Sequence, residues 1–159
     1  MSDDALRTQL RDLLESAHAH ATFDQAVDGV PSDQRGARVP GQPHTLWRLL
    51  EHIRLATSDI LEFSRRADHE SPKWPEGYWP ADDAPADDTA WDRSIEAVRA
   101  DLAAFAELIG DASQDLFAPF PWGKGQTLLR EALLIADHNA YHVGQMVLLR
   151  QQLGVWPAS

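Results

Sequence analysis

The stretch DHNAYHVGQMVLLRQQLG, residues 137–154, decides the fold. Its apolar residues recur at helical spacing, and Gly154 followed by Pro157 marks a stop. His138 and His142 share a stripe with Leu134, Ile135 and Leu149, where a buried helix should carry leucines. Four residues of α-helix leave about 40° of rotation and about 6 Å of rise, so the two imidazoles point the same way. Their apolar neighbours make that direction the interior. Two inward imidazoles so placed can converge on one metal ion at roughly 2.0–2.1 Å per bond.

Three further helical stretches precede this one. The first runs from about Asp3 to Val27, with Leu6, Leu10, Leu13, Ala17, His20 and Val27 along its stripe. The second runs from about Thr45 to Ala67, its apolar set including Leu46, Leu49, Leu50, Ile53, Ala56, Ile60 and Phe63. The third opens on a capping-box pattern, Thr89 to Asp92, and ends at Gly110 in the C′ position. The fourth spans about Thr127 to Leu153. No segment shows the sustained period-two pattern of a strand. The expectation is an all-α four-helix bundle forming a single domain over residues 1–159. Its loops between helices two and three and between helices three and four are long and rich in proline and aromatics. Such loops pack onto the body, so Trp74, Tyr78, Trp79, Phe120 and Trp122 are candidates to roof a cavity.

Composition removes several function classes. The 159 residues carry a net charge of −11, from 25 acidic against 14 basic side chains. No Lys/Arg cluster larger than the pair Arg65-Arg66 offers itself to a phosphate backbone or an anionic leaflet, so no nucleic-acid or membrane partner is expected. No apolar run reaches the roughly 20 residues of a membrane span. The start, MSDDALRTQL, lacks the basic and apolar blocks of a signal peptide, which makes a cytoplasmic location the default. The chain has no cysteine. A metal must therefore be held by His, Asp or Glu, and any thiol chemistry must use a thiol from outside.

A third inward histidine is available on the second helix. His52 is flanked along its stripe by Leu49 and Ala56, with Ile60 two turns on. Three histidines with an open fourth position make a catalytic type of metal site. Residues alone leave a second reading open, in which these are satisfied core histidines. His20, on the stripe of the first helix, is a candidate to approach the same cavity as a fourth ligand or catalytic group, or else a buried structural residue. Gln145 shares the face of His142 and is a candidate to bind a metal-bound water or substrate, or else a polar residue at the wet end of the bundle. His18 points elsewhere, to the surface, and His44 suits a cap or surface role. Asn139, Glu51 and Asp137 are rotated about 100° from the adjacent histidines, which suits supporting contacts better than ligation. Asn139 also occupies the place that a zincin protease gives to its general-base glutamate, which disfavours that route to peptide hydrolysis.

Four blocks together resemble the DinB-like (DinB/YfiT-like) metalloenzyme family. They are HTLWRLLEHIRLATSDILEFSR, WPEGYWP, PFPWGKGQTLLREALL and the opening stretch, with its H-x-x-x-H-x-G-Q run the most specific. They occur in the family's order and cover most of the chain. The resemblance implies a four-helix bundle holding a divalent metal through one histidine of the second helix and two of the fourth, here His52, His138 and His142. Zn or Ni leads for the metal, with Fe, Mn and Cu also admitted by imidazole donors. The family includes transferases and isomerases dependent on glutathione, mycothiol or bacillithiol. The resemblance thus implies a thiol-dependent S-transferase or isomerase acting on a small molecule with a low-molecular-weight thiol cosubstrate. The alternatives are a hydrolase using metal-bound water and a non-catalytic metal- or ligand-binding stress protein. An acidic chain needs local positive charge to take an anionic thiol, and Lys124 and Arg130 are the nearest loop candidates. Related bundles are often homodimers, which is the expectation here too.

Overall fold

A computed structural model describes residues 3–16 and 19–157. Among the described residues five α-helices form: α1 (Asp4–Glu15), α2 (Phe23–Val27), α3 (Leu46–Arg65), α4 (Asp88–Gly110) and α5 (Leu128–Gln152). No strand forms among the described residues, and none of the helices is long and apolar enough to cross a membrane. The three long helices start on side-chain caps. Thr45 accepts from the Arg48 amide, Asp87 from the Ala90 amide and Thr127 from the Arg130 amide, each satisfying an N–H that the helix cannot. At the far end of α5, Gly154 takes φ 73°, and the Val155 and Gly154 amides donate back to the Arg150 and Gln151 carbonyls. That is a Schellman ending, with glycine in the left-handed conformation it alone adopts cheaply.

Two expectations need correction. The first helix is not continuous from Asp3 to Val27. It stops at Glu15, with Ser16 extended, and a separate short helix restarts at Phe23. The reason is a capping box: Thr22 Oγ1 accepts from the Gln25 amide while Gln25 Oε1 accepts from the Thr22 amide. The expected positions of Ala17 and His18 lie outside the described residues. The cap of α4 is Asp87 rather than Thr89, and Gly110 is the last helical residue, with Asp111 as the C-cap.

The core comes in two apolar clusters that set the helix directions. One joins Leu46, Leu49, Leu50 and Ile53 of α3 with Trp91, Ile95 and Val98 of α4, Val143, Met146 and Leu149 of α5, and Ala26 and Val27 of α2. The other joins Ile60 and Leu61 of α3 with Phe105 and Ile109 of α4, Leu128, Ala132 and Ile135 of α5, and Leu10 of α1. The starts of α3 and α4 therefore share one end of the bundle, and α5 runs against both. A parallel pair needs a connection that returns along the whole length of the bundle, which is why residues 66–87 form a long crossover. Between the two clusters, α3 and α5 present a polar belt containing His52, Thr57, His138, Asn139 and His142.

Two buried arginines tie the short elements down. Arg7 reaches the Ile109, Asp111 and Gln114 carbonyls past the end of α4, and it pairs with Asp3. Arg150, 1% exposed, donates to the Gln25, Ala26 and Val155 carbonyls. Replacing it would strand those carbonyls without donors. Arg150→Met is expected to cost about 3 kcal/mol of unfolding free energy, read by urea denaturation. A loss below about 1 kcal/mol would show that the carbonyls find other partners.

Candidate metal centre

α3 and α5 bring His52, His138 and His142 together, with one ligand atom of each within 4.8 Å of the others. The antiparallel packing of the two helices sets His52, near the start of α3, beside the middle of α5. His52 and His142 are buried, at 4% and 8% exposure, and His138 is half-buried.

The outward nitrogen of each ring faces an oxygen. His52 Nδ1 lies 2.7 Å from the Tyr78 carbonyl, His138 Nδ1 lies 3.1 Å from Asn139 Oδ1, and His142 Nδ1 lies 2.7 Å from Gln145 Oε1. A carbonyl can only accept, so Nδ1 carries the proton and Nε2 presents its lone pair inward. The amide orientations agree, since Asn139 Nδ2 donates to Thr57 and Gln145 Nε2 donates to the Tyr141 hydroxyl. The Nε2 atoms of His52 and His138 then stand 3.0 Å apart with no hydrogen between them. Two lone pairs at that distance repel, and a cation between them removes the repulsion. A tetrahedral ion with bonds of about 2.05 Å would hold its nitrogens about 3.3 Å apart, close to the spacing of this pair, while the three ligand atoms together lie within 4.8 Å. The donor set fits a divalent metal of the imidazole-binding kind, and acceptors on the far nitrogens are the usual support of such ligands.

Burial acts the same way on all three rings. Desolvation lowers the pKa of His52 against the Tyr78 carbonyl, which raises it. Desolvation likewise lowers His138. It drives His142 down to about 4, over the opposing effect of Gln145. The rings are thus neutral and ready to ligate at neutral pH.

Trp79 closes one side. Its indole stacks on His52, with centroids 3.9 Å apart and planes within 1°, and on His44 at 4.0 Å. His44 is not the cap, which is Thr45; it is half-buried and packs against Trp79, where burial lowers its pKa. Arg48, one turn before His52, holds its guanidinium 5.8 Å from the Trp79 ring. A cavity of about 520 Å³ is lined by His44, Arg48, Glu76 and Trp79. A second, of about 610 Å³, lies among α1, α4 and α5, is mainly apolar, and meets Asn139 but none of the three histidines. The first shares Trp79 with His52, and it too is lined by none of the three histidines.

Other expected residues lie elsewhere. His20 is exposed in the link between α1 and α2, with Nδ1 on the Ala21 carbonyl, and does not join the cluster, because the helix expected to carry it inward has ended. Gln145 is at the site but is engaged with His142 and Tyr141. Glu51 turns to Arg54 and Ser94, and Asp137 is exposed. Phe120 and Trp122 do not roof the centre: Phe120 packs on Phe63, and Trp122 Nε1 donates to the Phe63 carbonyl, at the opposite end of α3. Trp74 is 71% exposed and leans on Tyr78. Arg130 pairs with Glu131, and Lys124 sits in the same distant loop as Trp122. Arg48, which lies 3.7 Å from Asp83, is instead the cation that lines the cavity beside Trp79. Its i, i+4 relation to His52 was the signal available in the sequence.

The DinB superfamily model matches residues 15–146, and the chain belongs to that superfamily. Comparison with curated proteins and with solved structures gives no match. Membership and the three-histidine cluster agree with metal binding.

The lowered pKa of His142 carries a stability consequence. Unfolded, the ring binds a proton below about 6.5; folded, only below about 4. The metal-free protein therefore keeps its full contribution above pH 6.5 and loses stability as pH falls toward 4. The urea midpoint of the metal-free protein should drop across that window, and less so in His142→Ala. A midpoint independent of pH in both would remove this account of the buried ring.

Proposed function

We propose that the protein is a divalent-metal enzyme, loaded with zinc or nickel, that uses an external low-molecular-weight thiol in an S-transfer or isomerisation of a small electrophile. The observation that carries this reading is the convergence of three Nε2 lone pairs at a place where, among the described residues, the side chains hydrogen-bonded to the cluster are amides rather than carboxylates. When bound, a divalent ion supplies Lewis acidity that lowers the pKa of a thiol reaching it.

The chain's own residues do the rest. Asn139, Gln145 and the Tyr78 carbonyl keep the imidazoles in one tautomer and orientation. Trp79 covers His52 and keeps water off that face. Arg48 lies beside this wall and lines the adjoining cavity, where it offers charge-assisted bonds to a carboxylate on the thiol. With no cysteine in the sequence, the nucleophilic sulfur comes with the cosubstrate. Hydrolysis is less well supported, because it needs a base or proton shuttle, and His20, the residue considered for that part, is exposed outside the cluster.

The test offers metal-loaded protein a panel of small thiols with a generic electrophile and, separately, esters and amides. Conjugate should form with a thiol, disappear in His142→Ala, and show a KM for carboxylate-bearing thiols raised about tenfold in Arg48→Met, the size of one charge-assisted hydrogen bond. Thiol-independent ester or amide turnover would replace this reading with hydrolysis. Metal retained without turnover on either panel would leave a binding protein. Elemental analysis should find a divalent metal in the native chain and none in the variant carrying alanine at positions 52, 138 and 142; equal content in both would remove the site.

A further inference from the structure

His52 owes its orientation to a main-chain carbonyl, Tyr78, in a crossover whose only helical piece is a single 3-10 turn at Glu76–Tyr78. A carbonyl in such a segment orients an imidazole only if something holds the segment still, and the side chain of the same tyrosine does so. Tyr78 Oη donates to Asp59 Oδ2 at 2.6 Å. The other carboxylate oxygen, Asp59 Oδ1, lies 2.7 Å from His69 Nε2. Asp59 follows His52 by seven residues on α3, so it lies on the same face two turns on, about 10 Å away. Tyr78 therefore lies along α3 as a strut, its backbone at the level of His52 and its hydroxyl at the level of Asp59.

We propose that Asp59 is a positioning residue for the metal ligand His52, acting through Tyr78, with His69 pinning the start of the crossover to the same carboxylate. The inference rests on the metal reading of the three histidines. The Asp59 and His69 side chains are largely buried, at 12% and 17% exposure, so water competes little for these bonds. Burial and the Asp59 carboxylate push the Tyr78 phenol well up, which keeps it a donor. The crossover is shaped to reach the carboxylate twice: the Gly77 amide donates to the Lys73 carbonyl at 2.7 Å, and a Cβ on Gly77 would meet the Pro72 side chain at 2.7 Å. The other groups facing this place are Glu131, which senses Asp59 from α5, and Ser71 beside the phenol. Neither offers the tyrosine a competing cation.

The experiment titrates the metal-free full-length chain with Co²⁺, whose visible spectrum reports ligand geometry, alongside urea unfolding of each variant. Tyr78→Phe and Asp59→Ala should weaken Co²⁺ binding 10- to 100-fold and change the spectrum, as loss of support behind a ligand does. Asp59→Asn keeps an acceptor oxygen for the phenol and should restore most of the affinity and the native spectrum. Wild-type affinity and spectrum in Tyr78→Phe and Asp59→Ala, with or without a loss of stability, would reduce the strut to ordinary loop anchoring and overturn the proposal. Failure of the wild-type chain itself to take Co²⁺ would overturn the metal reading first and this inference with it.

Discussion

Three unprotonated imidazole nitrogens aimed at one point inside a bundle are the constraint on which the rest of the structure depends. Burial strips water from the rings and keeps them neutral, and the outward oxygens of Tyr78, Asn139 and Gln145 hold their protons on the far side. What remains at the centre is mutual repulsion of lone pairs, which a cation would relieve. A helical bundle tolerates such a polar belt only because apolar packing above and below it is complete. The two clusters, one around Leu46–Ile53 and the other around Ile60–Leu61, meet that requirement.

The parallel arrangement of α3 and α4 has a chemical consequence. It forces residues 66–87 to travel back along the bundle, and that path carries Tyr78 and Trp79 across the histidines. A bundle of strictly alternating helices with short turns would leave the centre without either residue. Topology, rather than any local preference of the crossover, therefore gives the site its wall and one of its three supporting oxygens.

Legibility in the sequence varied with the range of the interaction that decides each feature. The all-helical class, the extents of α3 and α5, the loop lengths and the inward face of His138 and His142 follow from local periodicity and caps, and periodicity survives tertiary packing when the stripe is long. The break in the first helix was also locally encoded, in Thr22 to Gln25, but a continuous apolar stripe runs over it and masks the restart. His20 was misplaced by that same continuity. Phe120 and Trp122 look equivalent to Trp79 as loop aromatics, and only the direction of the chain separates them.

The sequence by itself determined that this chain is helical, that a metal could be held only by nitrogen or carboxylate donors, and that three histidines had the phase to provide it, because helical phase is a property of neighbouring residues. The tertiary structure alone decided which atoms meet. The tautomer at His52 depends on a carbonyl 26 residues away, the cation near the site is Arg48 rather than Lys124 or Arg130, and His44 stacks on Trp79. These are contacts between elements whose relative position is set by how two apolar cores pack, and no local pattern carries that information.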